Sequence, residues 1–217
     1  MRKVAVLAKE QELSADERKL LQLSYEGLVL PRRNSRAILQ DLEQEEGAKE
    51  QRVAIIKKQR GVVEGELDEL CQIMLHLIDT HLLPSASTTE ASAFYLTMKG
   101  DSHRYLAEYK VDEARQTAVN QAMAAYTSAE EKACHLPPTS HTRLCLALNH
   151  SVFCYHIVKE PSLACFMAML AYAMAVGTLD NHAVGDDYEA TMLVIQRLKD
   201  NITHWTLEMN GNGETQS

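Results

Sequence analysis

Apolar positions recur at helical spacing along almost the whole chain. Ser14-Ala15-Asp16-Glu17 has the form of a capping box, in which Ser caps a helix and Glu reaches back to its N–H. A long helix is predicted from there to about residue 46, with Leu20, Leu21, Ser24 and Leu28 on one face and Gly47 as its stop. A second runs to about residue 83. Its residues Val63, Leu67, Leu70, Cys71, Met74, Leu75 and Ile78 form an amphipathic stripe, and Pro84-Ser85 ends it. Further helices are predicted over residues 88–108, 112–134, 140–158, 161–179 and 187–207. Pro137-Pro138 and Glu160-Pro161 punctuate them, and Pro161 sits at a favoured first-turn position. Strand signals are missing, and the Asn and Gly residues from Asn210 to Gly213 fall in a polar tail. The fold class is therefore all-α. Residues 1–208 are read as a single antiparallel array of about eight helices, and residues 209–217 as a disordered tail.

Bulk composition narrows the function. The chain has 217 residues, enough for a sizeable core, and a net charge of −8 that disfavours nucleic acid as the main ligand. Its five cysteines are odd in number, lack a C-x-x-C pair and fall mostly in apolar helical patterns. Reduced, buried thiols in a reducing compartment are expected. Cys154 with His156, and Cys134 with His135, lack zinc spacing, so no metal is expected. The apolar run after Met1-Arg2-Lys3 ends at Lys9 and Glu10, too early for a signal peptide. No segment is read as long enough to span a membrane, so a cytoplasmic protein without a membrane partner is expected.

Candidate chemistry centres on binding. There is no G-x-S-x-G, P-loop or H-E-x-x-H, which leaves no enzyme and no cofactor to propose. Arg104 and Tyr105 stand side by side in a helix. They are either a snorkelling Arg beside a core Tyr, or two strong phosphate donors for a ligand lying across the helix. Asn149, Val152 and His156 share a helix face with Leu148 at its edge. Leu193, Arg197, Asn201 and His204 form a mixed face beside the apolar stripe of Ile195, Leu198, Ile202 and Trp205. Mixed faces with single Asn residues are either ordinary solvent faces or a groove for extended peptide, since an Asn amide pairs with peptide N–H and C=O together.

Several collinear stretches resemble one family. Phe94 to Glu108 is similar to the FYLKMKGDYYRYLAE segment of 14-3-3 proteins. Arg143 to Phe153 resembles their RLGLALNFSVF, and Asp200 to Thr206 their DNLTLWT. Glu12-Leu13-Ser14 through Leu20-Leu21, with Arg32-Arg33, resembles the start of their third helix. The resemblance runs from about residue 1 to 206. It implies a cup-shaped dimer of antiparallel helices, an adaptor that binds client proteins at phosphoserine or phosphothreonine. It also implies Arg33, Arg104 and Tyr105 as phosphate ligands and Asn149 and Asn201 as holders of the peptide backbone. Leu148, Val152 and Leu193 would be groove wall.

Several positions depart from the family, among them His204 in place of a groove Leu and His156 in place of a Glu. Glu26 replaces a pocket Lys, Ala37 replaces an Arg, and Pro31 falls between Glu26 and Arg33, where a kink would move Arg33. Arg197 replaces a groove Leu and is a candidate peptide contact. The two pocket charge changes together are expected to cost on the order of 1–4 kcal/mol at effective protein dielectrics. Few residues precede the Glu-Leu-Ser motif, so a homodimer or heterodimer weaker than the family's, or a monomer, is expected, with Ile38, Leu39 and Leu42 exposed. The alternative function is a scaffold of the same fold that binds unphosphorylated acidic segments.

Overall fold

The predicted capping box forms as the chain dictates. Ser14 N donates to Glu17 Oε2 at 2.8 Å and Glu17 N to Ser14 Oγ at 3.3 Å. These bonds, the backbone one first, hold the Glu17 carboxyl below its ordinary range. The computed structural model describes residues 12–45, 50–179 and 188–214, with side chains to residue 211. Gly47 and the segment before residue 12 lie outside them.

Among the described residues there are seven helices and no strand. They are α1 Ala15–Glu45, α2 Glu50–Leu77, α3 Thr89–Ala107, α4 Asp112–Ala133, α5 His141–Phe153, α6 Pro161–Thr178 and α7 Tyr188–Glu214. A π-helical turn, Ile78–Leu82, and a last turn, Leu83–Ser85, carry α2 to its proline stop. A second π turn, Cys154–Val158, closes α5, and Lys159 takes a left-handed conformation with φ 66° behind it. Helix α1 is continuous through Pro31, where Ser35 Oγ donates to the Pro31 carbonyl at 2.9 Å.

The chain divides into two compact units. Met1–Ser87 and Tyr105–Ala118 form one; Thr88–Arg104 and Val119–Ser217 form the other. In the first, α1 packs along α2. The buried stripe of α1 is Leu21, Tyr25 and Val29. This corrects the predicted face by one residue. Leu20 is 62% exposed, because the stripe is completed by a tyrosine, which the apolar count passed over. The α2 stripe is as predicted, with Leu67, Cys71 and Met74 fully buried. Ile38 and Leu42 are exposed and Leu39 is half-buried.

In the second unit, α6 packs against α5 and α7. Ala164, Cys165, Ala168 and Ala175 turn inward, while Leu163, Phe166, Met169 and Leu170 are exposed. The expectation that no segment could span a membrane is corrected here. By length and composition alone, α6 is long and apolar enough, with a mean hydropathy of 1.5 over 18 residues. Its packing makes it a member of the helical array. Helix α7 buries Ile195, Leu198 and Trp205 as expected, but runs on to Glu214 and does not close near Leu207. Extending a formed helix costs far less than starting one, so even Asn210 and Gly211 can continue it.

Candidate phosphate and peptide-binding residues

Three arginines in the second half of α1 are half-buried, and each has a different task. Arg32 pairs with Glu66 of α2 at 2.7 Å. Arg36 pairs with Glu64 at 3.2 Å, with its guanidinium carbon 5.8 Å from the centre of the Tyr109 ring. Arg36 is therefore engaged elsewhere and does not replace an arginine at Ala37. Arg33 turns to the Tyr105 ring, with its guanidinium carbon 4.4 Å from the ring centre. Glu108 grips its edge, Nε to Oε2 at 2.8 Å and Nη2 to Oε1 at 2.5 Å. Both side chains keep about a fifth to a quarter of their surface in water. The guanidinium thus sits over the ring and is held bidentately by Glu108, which fixes its position. Tyr25, fully buried in α1, backs Tyr105 at 6.4 Å between ring centres.

Glu26 lies two turns before Arg33 on the same flank of α1, half-buried. It accepts a bond from Gln22 at 2.8 Å, and no cation pairs with it among the described residues. Its charge is uncompensated on the face that presents Arg33.

Arg104, the residue before Tyr105, belongs to the second unit and is buried. Asp101, one turn earlier on α3, organises its surroundings. Asp101 Oδ1 accepts from Arg104 Nη2 at 3.2 Å and from the Tyr126 hydroxyl at 2.7 Å. Asp101 Oδ2 accepts from Asn149 Nδ2 at 2.9 Å. Arg104 Nε also donates to the Tyr126 oxygen at 3.2 Å. Burial first, and the adjacent Asp101 charge second, push the Tyr126 phenol well above its ordinary range, so it stays a donor. One carboxylate therefore holds Arg104, Tyr126 and Asn149 from three helices. The snorkelling alternative for Arg104 is set aside, because its side chain is 9% exposed and hydrogen-bonded.

The remaining predicted residues lie on α5, the turn that follows it, and α7. Leu148 is buried, and Asn149 and Val152 are half-buried, on one side of α5, with His156 exposed beyond them. Leu193 and Arg197 are exposed and Asn201 half-buried at successive turns of α7. No hydrogen bond among the described residues joins Asn201 or Arg197 to Arg104 or Asn149. His204 pairs with Glu208 at 3.3 Å. Sequence reasoning missed Asp101, Glu108 and Tyr126. Asp101 had a signal, since i and i+3 acid–base pairs meet on a helix.

The family model for the 14-3-3 protein matches residues 1–206. The chain belongs to the 14-3-3 family. It is 46% identical over 213 residues to a 14-3-3-like protein of Chlamydomonas reinhardtii, covering 96% of this chain and 82% of that one. It is 44% identical over 213 residues to 14-3-3-like protein GF14 psi of Arabidopsis thaliana, covering 96% and 83%. It is 42% identical over 217 residues to a 14-3-3-like protein of Pisum sativum, covering 98% and 83%. The 14-3-3 proteins are non-enzymatic adaptors that bind client proteins, generally phosphorylated, and form dimers. This 14-3-3 chain has seven helices among its described residues.

Proposed function

We propose that this protein is a signalling adaptor for phosphoserine or phosphothreonine segments of partner proteins, acting in the cytoplasm and as a dimer. Arg33, Arg104 and Tyr105 are the phosphate donors. Asn149 and Asn201 hold the peptide backbone, and Leu148, Val152, Leu193 and Arg197 flank it. The observation that carries the reading is Arg33, set over the Tyr105 ring and gripped edge-on by Glu108. Glu108 holds the Nε–Nη2 edge of this guanidinium, so the donors left for a phosphate are those on its Nη1 side. A group already fixed in place loses little freedom on meeting it, and charge-assisted bonds are the strong ones. Five free cysteines suit a reducing compartment.

Fluorescence polarisation with a labelled phosphoserine peptide and its unphosphorylated twin tests this. The phosphorylated form should bind more tightly, and Arg33→Ala or Arg104→Ala should abolish the preference. Glu26→Lys, which converts an uncompensated negative charge into a positive one, should raise it by part of the roughly one to three decades that the two pocket charge changes cost together. Equal, weak binding of both peptides would sink the phosphate reading. A preference for acidic unphosphorylated peptides would favour a scaffold role. That second reading draws on Arg197, which is exposed without an ionic partner among the described residues.

A further inference from the structure

Away from those residues, the second unit contains a half-open cavity of about 300 Å³. The end of α4, the turn at Pro138, α5 and α6 enclose it. Its walls are apolar: Leu144, Met167, Leu170 and Met174, with Ala147 and Ala171 leaving the space between them. The α6 wall carries no charged residue from Pro161 to Thr178. The volume is at the lower end of the range for small-molecule sites, which combine an apolar lining with a few polar groups.

The polar groups here are Arg143 and Glu130. Arg143 is fixed by one arm only. Its Nη1 donates to the Leu136 carbonyl at 2.6 Å and to the Cys134 carbonyl at 3.5 Å, which satisfies the end of α4. The rest of its fork makes no hydrogen bond, and no carboxylate pairs with it, among the described residues. Glu130 is held by His150, Oε1 to Nδ1 at 2.8 Å, and so is not Arg143's counter-ion. An anchored guanidinium with spare donors at the lip of an apolar cavity is complementary to one anionic head on an apolar body. The nearby Glu130 charge opposes a second anionic group.

We propose that this cavity binds a small apolar carboxylic acid, its chain among Leu144, Met167, Leu170 and Met174 and its carboxylate on Arg143. The site goes beyond the phosphopeptide reading and does not depend on it. Cys134 lines the same cavity and is an exposed residue, its Sγ 3.2 Å from the Glu131 carbonyl, which supplies a reporter.

The test is the rate of Cys134 alkylation by iodoacetamide in the full chain, read by peptide mass spectrometry against added decanoate. Decanoate should slow the reaction saturably. Decanol, with the same chain length and no charge, should need at least roughly tenfold higher concentration, the worth of one charge-assisted contact. Ala171→Phe fills the cavity and should abolish protection by both. Arg143→Gln should reduce decanoate to the level of decanol. Because Arg143 also caps α4, Ala171→Phe keeps the test decisive if that variant folds poorly. Failure of decanoate to protect Cys134, or unchanged protection in Ala171→Phe, would overturn the proposal. The second outcome would place the acid on the exposed face of α6.

Discussion

The Tyr126 hydroxyl donates to Asp101 at 2.7 Å while accepting from Arg104 Nε at 3.2 Å, so one oxygen on α4 joins the acid and the base of α3. Tyr126→Phe removes that oxygen with little change of shape. It leaves Asp101 short of a donor and Arg104 short of an acceptor, both buried. A loss of about 1–3 kcal/mol is expected from urea denaturation, the cost of leaving buried polar groups unsatisfied. Phosphopeptide affinity should fall with it, because Arg104 loses one of the bonds that aim it. Unchanged stability and affinity together would show that Asp101 alone positions the arginine.

Gly100 tests the same cluster from the side of packing. A Cβ there would sit 2.6 Å from Tyr126 Cδ1 and Cε1. The tyrosine ring cannot easily retreat, since it stacks on His150 at 4.9 Å and meets Phe153 at 5.4 Å. Ala favours a helix over Gly by about 1 kcal/mol, whereas overpacking costs about 1–3 kcal/mol. The clash should win, so Gly100→Ala is expected to lower the urea midpoint. Gly65→Ala, with nothing within 4 Å of the new Cβ, should raise it.

How much of this the sequence carried follows from the range of each interaction. Helices were legible because stripes, prolines and caps act within a turn or two, and the capping box formed as written. The face of α1 was misjudged because Tyr25, amphipathic by nature, completes a core stripe that leucines suggested elsewhere. Arg33, Arg104 and Tyr105 were singled out as candidates through collinear motifs. Their holders were not. Arg33 and Glu108 are 75 positions apart, and no periodicity pairs them.

His150 carries a stability cost that a substitution should relieve. It is 4% exposed, and its Nε2 is buried without a hydrogen-bond partner. Its Nδ1 bonds Glu130, whose side chain is 45% exposed and can return to water. His150→Phe keeps the stacking on Tyr126 and Phe153 and removes the orphan nitrogen. A gain of about 1–2 kcal/mol is expected, seen as a Tm rise of a few degrees by scanning calorimetry. A fall in Tm would mean that the Glu130 bond outweighs the unpaired nitrogen.

Alkaline pH should loosen the first unit through Cys71. Burial raises this thiol from its ordinary 9.0 to about 11, with the bond from Tyr25 at 3.4 Å opposing, Asp68 and Glu108 adding to the rise, and Arg33 offsetting them. The folded state therefore holds the thiol proton more tightly than the unfolded chain. Its contribution is fully present below pH 9 and is lost as pH rises through 11. A thiol held that much more tightly contributes roughly 2–3 kcal/mol. Urea midpoints measured between pH 8 and pH 11 should fall, and Cys71→Ala should fall less steeply over the same interval. Identical slopes would show that other groups titrating in that range, and not this thiol, set the alkaline limit.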